Sequence, residues 1–226
     1  GITTSASHAL NPAQQEAFTS ILDNFRQKNV CLLHGVTSSG KTEIYIHLIE
    51  EALKAGKQVL YLLPEIALTT QITERSKFPD AERVEIWQKQ LGEEEYDVIL
   101  GVRSSIFLPF KRLGLVIVDE EHENTYKQQD PAPRYHARSS AIMLASMYGA
   151  KVLLGTATPS VETYFNATNG KYGLVELKER YKDIQLPHIE RVDIKELAHQ
   201  KRMQGPFSPM LVKQIHDALE RKEQVI

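Results

Sequence analysis

Residues Gly35-Val36-Thr37-Ser38-Ser39-Gly40-Lys41-Thr42 follow the pattern G-x-x-x-x-G-K-[ST]. They stand between an apolar run, Val30-Cys31-Leu32-Leu33, and a helical pattern over 43–53. This junction leaves little choice of local geometry, because a buried strand must turn sharply into a helix N-terminus. Such a turn aims several backbone N–H groups at one point, where the helix dipole adds positive potential, and its complement is an anion. Gly35 and Gly40 let the backbone curl, Lys41 has the reach for β/γ-phosphates, and the Thr42 hydroxyl suits Mg²⁺. The contacting set is therefore Gly35, Val36, Thr37, Ser38, Ser39, Gly40, Lys41 and Thr42, and the ligand is a nucleoside triphosphate.

Apolar β-rich runs alternate with helical periodicity along the chain, which specifies an α/β domain with a mainly parallel sheet covered on both faces by helices. Strands are predicted at 30–33, 59–63, 98–100, 115–118, 152–154 and 174–177. Most are unbroken apolar runs, as in strands buried on both sides. Helices are predicted at 11–27, 41–54, 66–75, 80–90, 138–148 and 160–169. Asn11-Pro12 supplies an N-cap followed by proline in the first turn. The single cysteine, Cys31, lies inside the first strand; this excludes a disulfide framework and a zinc cluster within these residues, and fits core packing in a reducing cytoplasm. No segment approaches 18 consecutive apolar residues, so no membrane partner is expected. With a net charge of −2, any nucleic-acid contact must use a local surface.

After about Tyr181 the pattern changes. A strand is predicted at 189–194, a helix at 208–221 and the start of a strand at 224–226, where the chain stops. The expectation is one domain over 1–182, followed by 183–226 as the connector and truncated opening of a second.

Leu115-Val116-Ile117-Val118-Asp119-Glu120-Glu121-His122 reads as a buried strand ending in carboxylates. In P-loop NTPases an acid at the end of a neighbouring strand helps to hold Mg²⁺ and a second group positions the attacking water. Asp119 takes the first role and Glu120 the second. Ligands of open parallel sheets sit at the carboxyl ends of the strands, where these residues fall. The order Asp-Glu-Glu-His matches the D-E-x-H box of superfamily 2 helicases, in which the histidine, here His122, couples nucleotide state to the motor. Gly155-Thr156-Ala157-Thr158-Pro159-Ser160 resembles motif III of the same superfamily, making Thr156 and Thr158 coupling residues.

Further segments extend the match. Leu10-Asn11-Pro12-Ala13-Gln14-Gln15 resembles the stretch that carries an adenine-reading glutamine, with Gln14 better placed than Gln15. Leu62-Leu63-Pro64-Glu65-Ile66-Ala67-Leu68-Thr69 resembles motif Ia, and Gly101-Val102-Arg103-Ser104 the next DNA-contacting motif. With Tyr126-Lys127-Gln128 and Arg134-Tyr135-His136-Ala137-Arg138, the chain resembles the PriA family of bacterial replication-restart helicases (primosomal protein N′). The resemblance covers essentially the whole chain. It implies a RecA-like first motor lobe and ATP with Mg²⁺. It further implies 3′-to-5′ movement on single-stranded or forked DNA, with single-strand-binding protein and primosome restart proteins as partners. Three departures stand out. Ser38 replaces a usual glycine, some fifteen to twenty residues are missing at Arg75-Ser76, and the family's zinc-binding module has no counterpart among these residues.

The stretch 122–138 mixes aromatic rings with cations, a composition suited to stacking bases and pairing phosphates. With the resemblance, Pro64, Thr69, Arg103, Tyr126, Lys127, Arg134, Tyr135 and Arg138 become candidate DNA contacts. Two other readings remain at this level: a nucleotide-dependent recruitment module without motor activity, and a RecG-like translocase on double-stranded DNA.

Overall fold

The computed structural model describes residues 9–36, 39–65, 88–92, 95–178 and 189–225. The chain divides into two compact units, Gly1–Ile184 and Gln185–Ile226. The first contains β1 (Val30–Gly35), β2 (Gln58–Leu62), β3 (Val98–Gly101), β4 (Leu113–Asp119), β5 (Lys151–Thr156) and β6 (Gly173–Leu177). They form one sheet in the order β3-β2-β4-β5-β1-β6, and every neighbouring pair is parallel.

The unbroken apolar runs have a direct cause: successive side chains enter two different cores. Leu32, Val116, Val118 and Leu154 pack on one face, against α3 (Ala137–Tyr148) and Ala167 of α4 (Val161–Thr168). Cys31, Leu33, Ile117 and Leu153 pack on the other, against α1 (Pro12–Gln27) and α2 (Lys41–Lys54). Burial pushes the Cys31 thiol up to about 12, as suits a packing residue rather than a nucleophile. The α3 face towards the sheet carries Ala137, Ala141 and Ala145, small residues four apart that let the helix lie close to the strands.

All six strands predicted ahead of Tyr181 form, as do the helices at 11–27, 41–54, 138–148 and 160–169, with ends within two residues of prediction. Residues 88–91 are helical; the helix at 66–75, the rest of that at 80–90 and the Arg75-Ser76 junction lie outside the described residues.

The second unit holds α5 (Ile194–His199) and α6 (Pro209–Glu220). The strand predicted at 189–194 is not formed. Asp193 Oδ1 instead accepts from the backbone N–H of Lys195 and Glu196, 2.9 and 3.1 Å away, and starts α5. The local carboxylate cap outcompetes an alternating segment that pairs with no strand among the described residues. Gln224 and Val225 likewise join no ladder. Ser208 caps α6 and Pro209 occupies its first turn.

The strand order places β5 between β1 and β4, and one rung of the sheet aligns Leu33, Gly155 and Asp119. Gly155 has no room for a side chain, because a methyl group there would overlap the Tyr45 hydroxyl. Gly155→Ala is expected to cost about 1–3 kcal/mol, the usual range for overpacking. Tyr45→Phe should recover part of that loss in a double-mutant cycle by urea denaturation. Strict additivity of the two changes would show that the ring and the glycine are not in contact.

Candidate active site

The two glycines of the loop serve different ends. Gly40 adopts φ 78°, in the left-handed region, and caps α2. Gly35 is needed for close approach, since a β-carbon there would lie 2.7 Å from Ser39 Oγ and 3.0 Å from Lys41 Cγ. Lys41 Nζ donates to the Gly35 carbonyl at 3.1 Å, folded over the loop, while Thr42 is exposed one residue on. Thr37 and Ser38 lie outside the described residues. Gln14 completes a capping box with Asn11, its Oε1 accepting from Asn11 N at 2.9 Å, and its Nε2 donates to the Gly40 carbonyl at 3.1 Å. Both ends of this buried amide are thus held by protein. Gln14 braces the loop from α1, and the exposed Gln15 has no such tie among the described hydrogen bonds.

Asp119, at the carboxyl end of β4, is gripped from two directions. Tyr45 on α2 donates to Oδ1 at 2.9 Å, and Tyr61 on β2 donates to Oδ2 at 3.4 Å. Burial raises the Asp119 carboxyl above its ordinary value, against the Tyr45 hydroxyl, the Glu120 N–H and the Lys41 charge, which favour the ionised form. Burial and the Asp119 charge push both phenols up, so both remain donors.

Glu120 adopts φ 46°, a left-handed conformation that a non-glycine residue holds only where its surroundings impose it. That turn brings its carboxylate to motif III. Thr156 Oγ1 donates to Glu120 Oε2 at 3.3 Å and accepts from Thr158 N at 3.0 Å. Its remaining lone pair faces His122 Nδ1 at 2.7 Å. With these roles filled, Nδ1 carries the proton and Nε2 faces the Thr158 hydroxyl at 3.4 Å. Glu120, His122, Thr156 and Thr158 therefore form one hydrogen-bonded group.

Glu121, the unassigned third acid of the box, is 0% exposed. It accepts from Arg138 Nη1 at 2.7 Å, Ser160 N at 2.7 Å, Ser160 Oγ at 3.0 Å and Thr163 Oγ1 at 2.9 Å. It thus ties the end of β4 to the first turns of α3 and α4. Arg138, expected to contact DNA, is only 12% exposed and neutralises this carboxylate; its charge serves the interior.

Tyr126 also requires correction. Expected to stack on a base, it is 1% exposed, and its hydroxyl bonds the carbonyls of Leu62 at 3.1 Å and Asp119 at 2.6 Å. A tyrosine in a polar loop can satisfy its ring in the core and its hydroxyl on the backbone, and sequence does not separate the two placements. Pro64 is buried as well, and Thr69 lies outside the described residues. Arg103 pairs with Glu65 at 2.9 Å and donates to the Thr125 carbonyl at 3.1 Å, joining the Ia segment to the aromatic loop. Lys127 Nζ donates to the Arg134 carbonyl at 2.8 Å, and the Arg134 side chain is exposed. Tyr135 stacks edge-on against Phe107, with ring centroids 4.9 Å apart. Phe107, 57% exposed, was missed because nothing in its local sequence marks it. Tyr45 and Tyr61 were missed for the same reason, whereas Gly155 and Glu121 lie inside quoted motifs that gave neither of them a role.

The DEAD/DEAH box helicase family model matches residues 11–166. The chain belongs to this family. Over 96% of its length it is 42% identical to replication restart protein PriA of Rickettsia felis and 39% identical to that of Bacillus subtilis. It covers 34% and 28% of those two proteins, so it spans about a third or less of their length. Among solved structures, RecG bound to a three-way DNA junction superposes with a TM-score of 0.53 at 22% identity, over 79% of this chain and 25% of that one. Helicase Lhr of Mycobacterium smegmatis, bound to ssDNA and AMP-PNP, gives 0.50 at 21%, over 76% and 26%. These two likenesses bear on fold.

The family implies ATP with Mg²⁺, and the residues present fit both. The Ser39 Oγ is buried beside the loop with no hydrogen-bond partner among the described residues, and the Asp119 carboxyl lies within reach of the Lys41 charge. Arg138→Ala would leave Glu121 buried and unpaired, a loss of about 3–5 kcal/mol. Lys127→Ala, at the surface, should stay within about 0.5 kcal/mol of wild type. Equal effects of the two changes on chemical denaturation would contradict the assignment of Arg138 to the interior.

Proposed function

We propose that this chain is the nucleotide-binding motor lobe of an ATP-driven DNA helicase that reopens stalled or abandoned replication forks. The observation that carries the reading is the joining of two motifs at one sheet edge. Asp119 and Glu120 leave β4 beside the loop that leaves β1, and Thr156 of the intervening β5 bonds both Glu120 and His122.

Lys41 and the loop N–H groups hold and orient the phosphates, and Thr42 with Asp119 holds the ion. Bound Mg²⁺ would supply charge neutralisation on the phosphates. Glu120 orients the attacking water and receives its proton. Thr156 and His122 sense whether Glu120 is so engaged and pass that state to the segment following β4. The DNA-facing surface of the lobe is drawn from Arg103, Lys127, Arg134, Tyr135 and Phe107, since rings and cations together suit a single strand. Movement is 3′ to 5′, with single-strand-binding protein and restart proteins as partners; near 40% identity to PriA proteins over 96% of the chain supports this. Residues 183–226 form the connector and opening of a second lobe. Phosphate charge in such motors is also stabilised by an arginine finger, worth about 10³–10⁵ in rate, and that arginine is supplied from outside these residues.

The 226-residue chain alone should bind ATP through Lys41, so that Lys41→Ala abolishes binding, yet hydrolyse it slowly with or without single-stranded DNA. In a protein carrying the remaining length, Glu120→Gln should cut turnover by roughly 10²–10⁴, the range for a positioned acid–base group, while ATP still binds. Vigorous DNA-stimulated hydrolysis by the 226 residues on their own would contradict the half-site reading.

A further inference from the structure

Two tyrosines outside every motif converge on the acid at the end of β4. Tyr45 lies one helical turn beyond Lys41 on α2, so both residues rise from the same face of the helix that opens at the phosphate loop. Its ring is wholly buried and crosses over Gly155, the glycine of β5 that has no room for a side chain. It ends on Asp119 Oδ1 at 2.9 Å. Tyr61 approaches from the opposite side, on β2, and reaches Oδ2 at 3.4 Å. The two rings meet edge to face, with centroids 5.7 Å apart, so each limits the other's rotation.

A buried hydroxyl can satisfy itself on any carbonyl, as Tyr126 does. Here both hydroxyls instead take one oxygen each of the same carboxylate. A carboxylate has about four lone-pair sites; the two hydroxyls fix its plane and, with the Glu120 N–H on Oδ1 at 3.1 Å, occupy three of them, leaving a site on Oδ2 for another partner. Partners behind a metal ligand set its orientation and raise metal affinity, and their loss typically weakens it by about 10–100-fold.

We infer that Tyr45 and Tyr61 are positioning residues that hold the Asp119 carboxylate in the orientation that takes Mg²⁺, and so set how much Mg²⁺ nucleotide binding requires. The inference rests on the ATP–Mg²⁺ reading above. Tyr45 does this from the helix that carries Lys41, so the phosphate-binding lysine and the ion-binding acid are aligned by one rigid element. Tyr61 does it from the strand leading to Glu65 and, through Glu65, to Arg103.

The test titrates Mg²⁺ against binding of a fluorescent ADP to the 226-residue chain, wild type, Tyr45→Phe, Tyr61→Phe and Asp119→Asn, with a parallel titration in EDTA. Wild type should bind more tightly with Mg²⁺, and Asp119→Asn should lose that gain. Tyr45→Phe should raise the half-saturating Mg²⁺ roughly tenfold and Tyr61→Phe less, with affinity in EDTA unchanged within about twofold. A merely structural role would lower affinity equally with and without Mg²⁺, and that result overturns the inference. So does an unchanged or smaller Mg²⁺ requirement in both phenylalanine variants. If Tyr45→Phe fails to fold, Tyr61→Phe, only partly buried, decides alone. If wild-type binding ignores Mg²⁺, the ion-binding reading of Asp119 falls, and the inference falls with it. Mg²⁺-dependent wild type with unmoved tyrosine variants sinks only the inference.

Discussion

The absence of a side chain at Gly155 is the constraint on which the site depends. β5 runs between the strand that delivers the phosphate loop and the strand that delivers the acids. Any side chain at the crossing would push Tyr45 away from Asp119. Because the crossing is bare, α2 can carry Lys41 and Tyr45 over the sheet edge and meet β4 directly. The loop and the acid, about 80 residues apart in sequence, are held in one frame by a buried ring instead of a flexible surface contact. Packed interiors deform little, so this alignment belongs to the fold.

A second layer lies behind the first. Asp119 lies within reach of the Lys41 charge and Glu120 bonds Thr156, whereas Glu121 enters a closed cluster with Arg138, Ser160 and Thr163. Carboxylates of one short box thus have opposite duties, Asp119 at the sheet's carboxyl edge and Glu121 fastening that edge to α3 and α4. Replacing a paired buried acid is destabilising chiefly because its partner is left charged and unsolvated. The His122–Thr156–Glu120 group lies between these layers. Any displacement of Glu120 therefore reaches His122 through one hydroxyl, and the backbone that follows leads to Tyr126, anchored on Leu62 and Asp119.

The parts of this arrangement that are local in sequence were legible there. The phosphate loop, the strand ending in Asp119–His122 and the Gly155–Ser160 turn each carry their chemistry within eight residues, and unbroken apolar runs gave a sheet covered on both faces. The parts that arise across strands were not legible. Nothing near Tyr45 or Tyr61 marks them as partners of Asp119, and Phe107 meets Tyr135 only after folding. Arg138 and Tyr126 misled because a cation or ring in a polar stretch has the same sequence signature whether it faces solvent or closes a buried cluster. Asp193 misled at 189–194 because a single capping carboxylate outweighs several apolar neighbours. The resemblance pointed to Gln14 as an adenine reader, and the Asn11-x-x-Gln14 spacing, a capping box, also marks it for the helix start.

The central claim is that nucleotide at the loop is read by the group of Glu120, His122, Thr156 and Thr158 as one body. Amide hydrogen exchange of the 226-residue chain, with and without a non-hydrolysable ATP analogue and Mg²⁺, tests this most directly. The account predicts slowed exchange at Gly35–Thr42 together with Asp119–Tyr126 and Thr156–Thr163. Protection confined to Gly35–Thr42, with the other two segments unmoved, would contradict it.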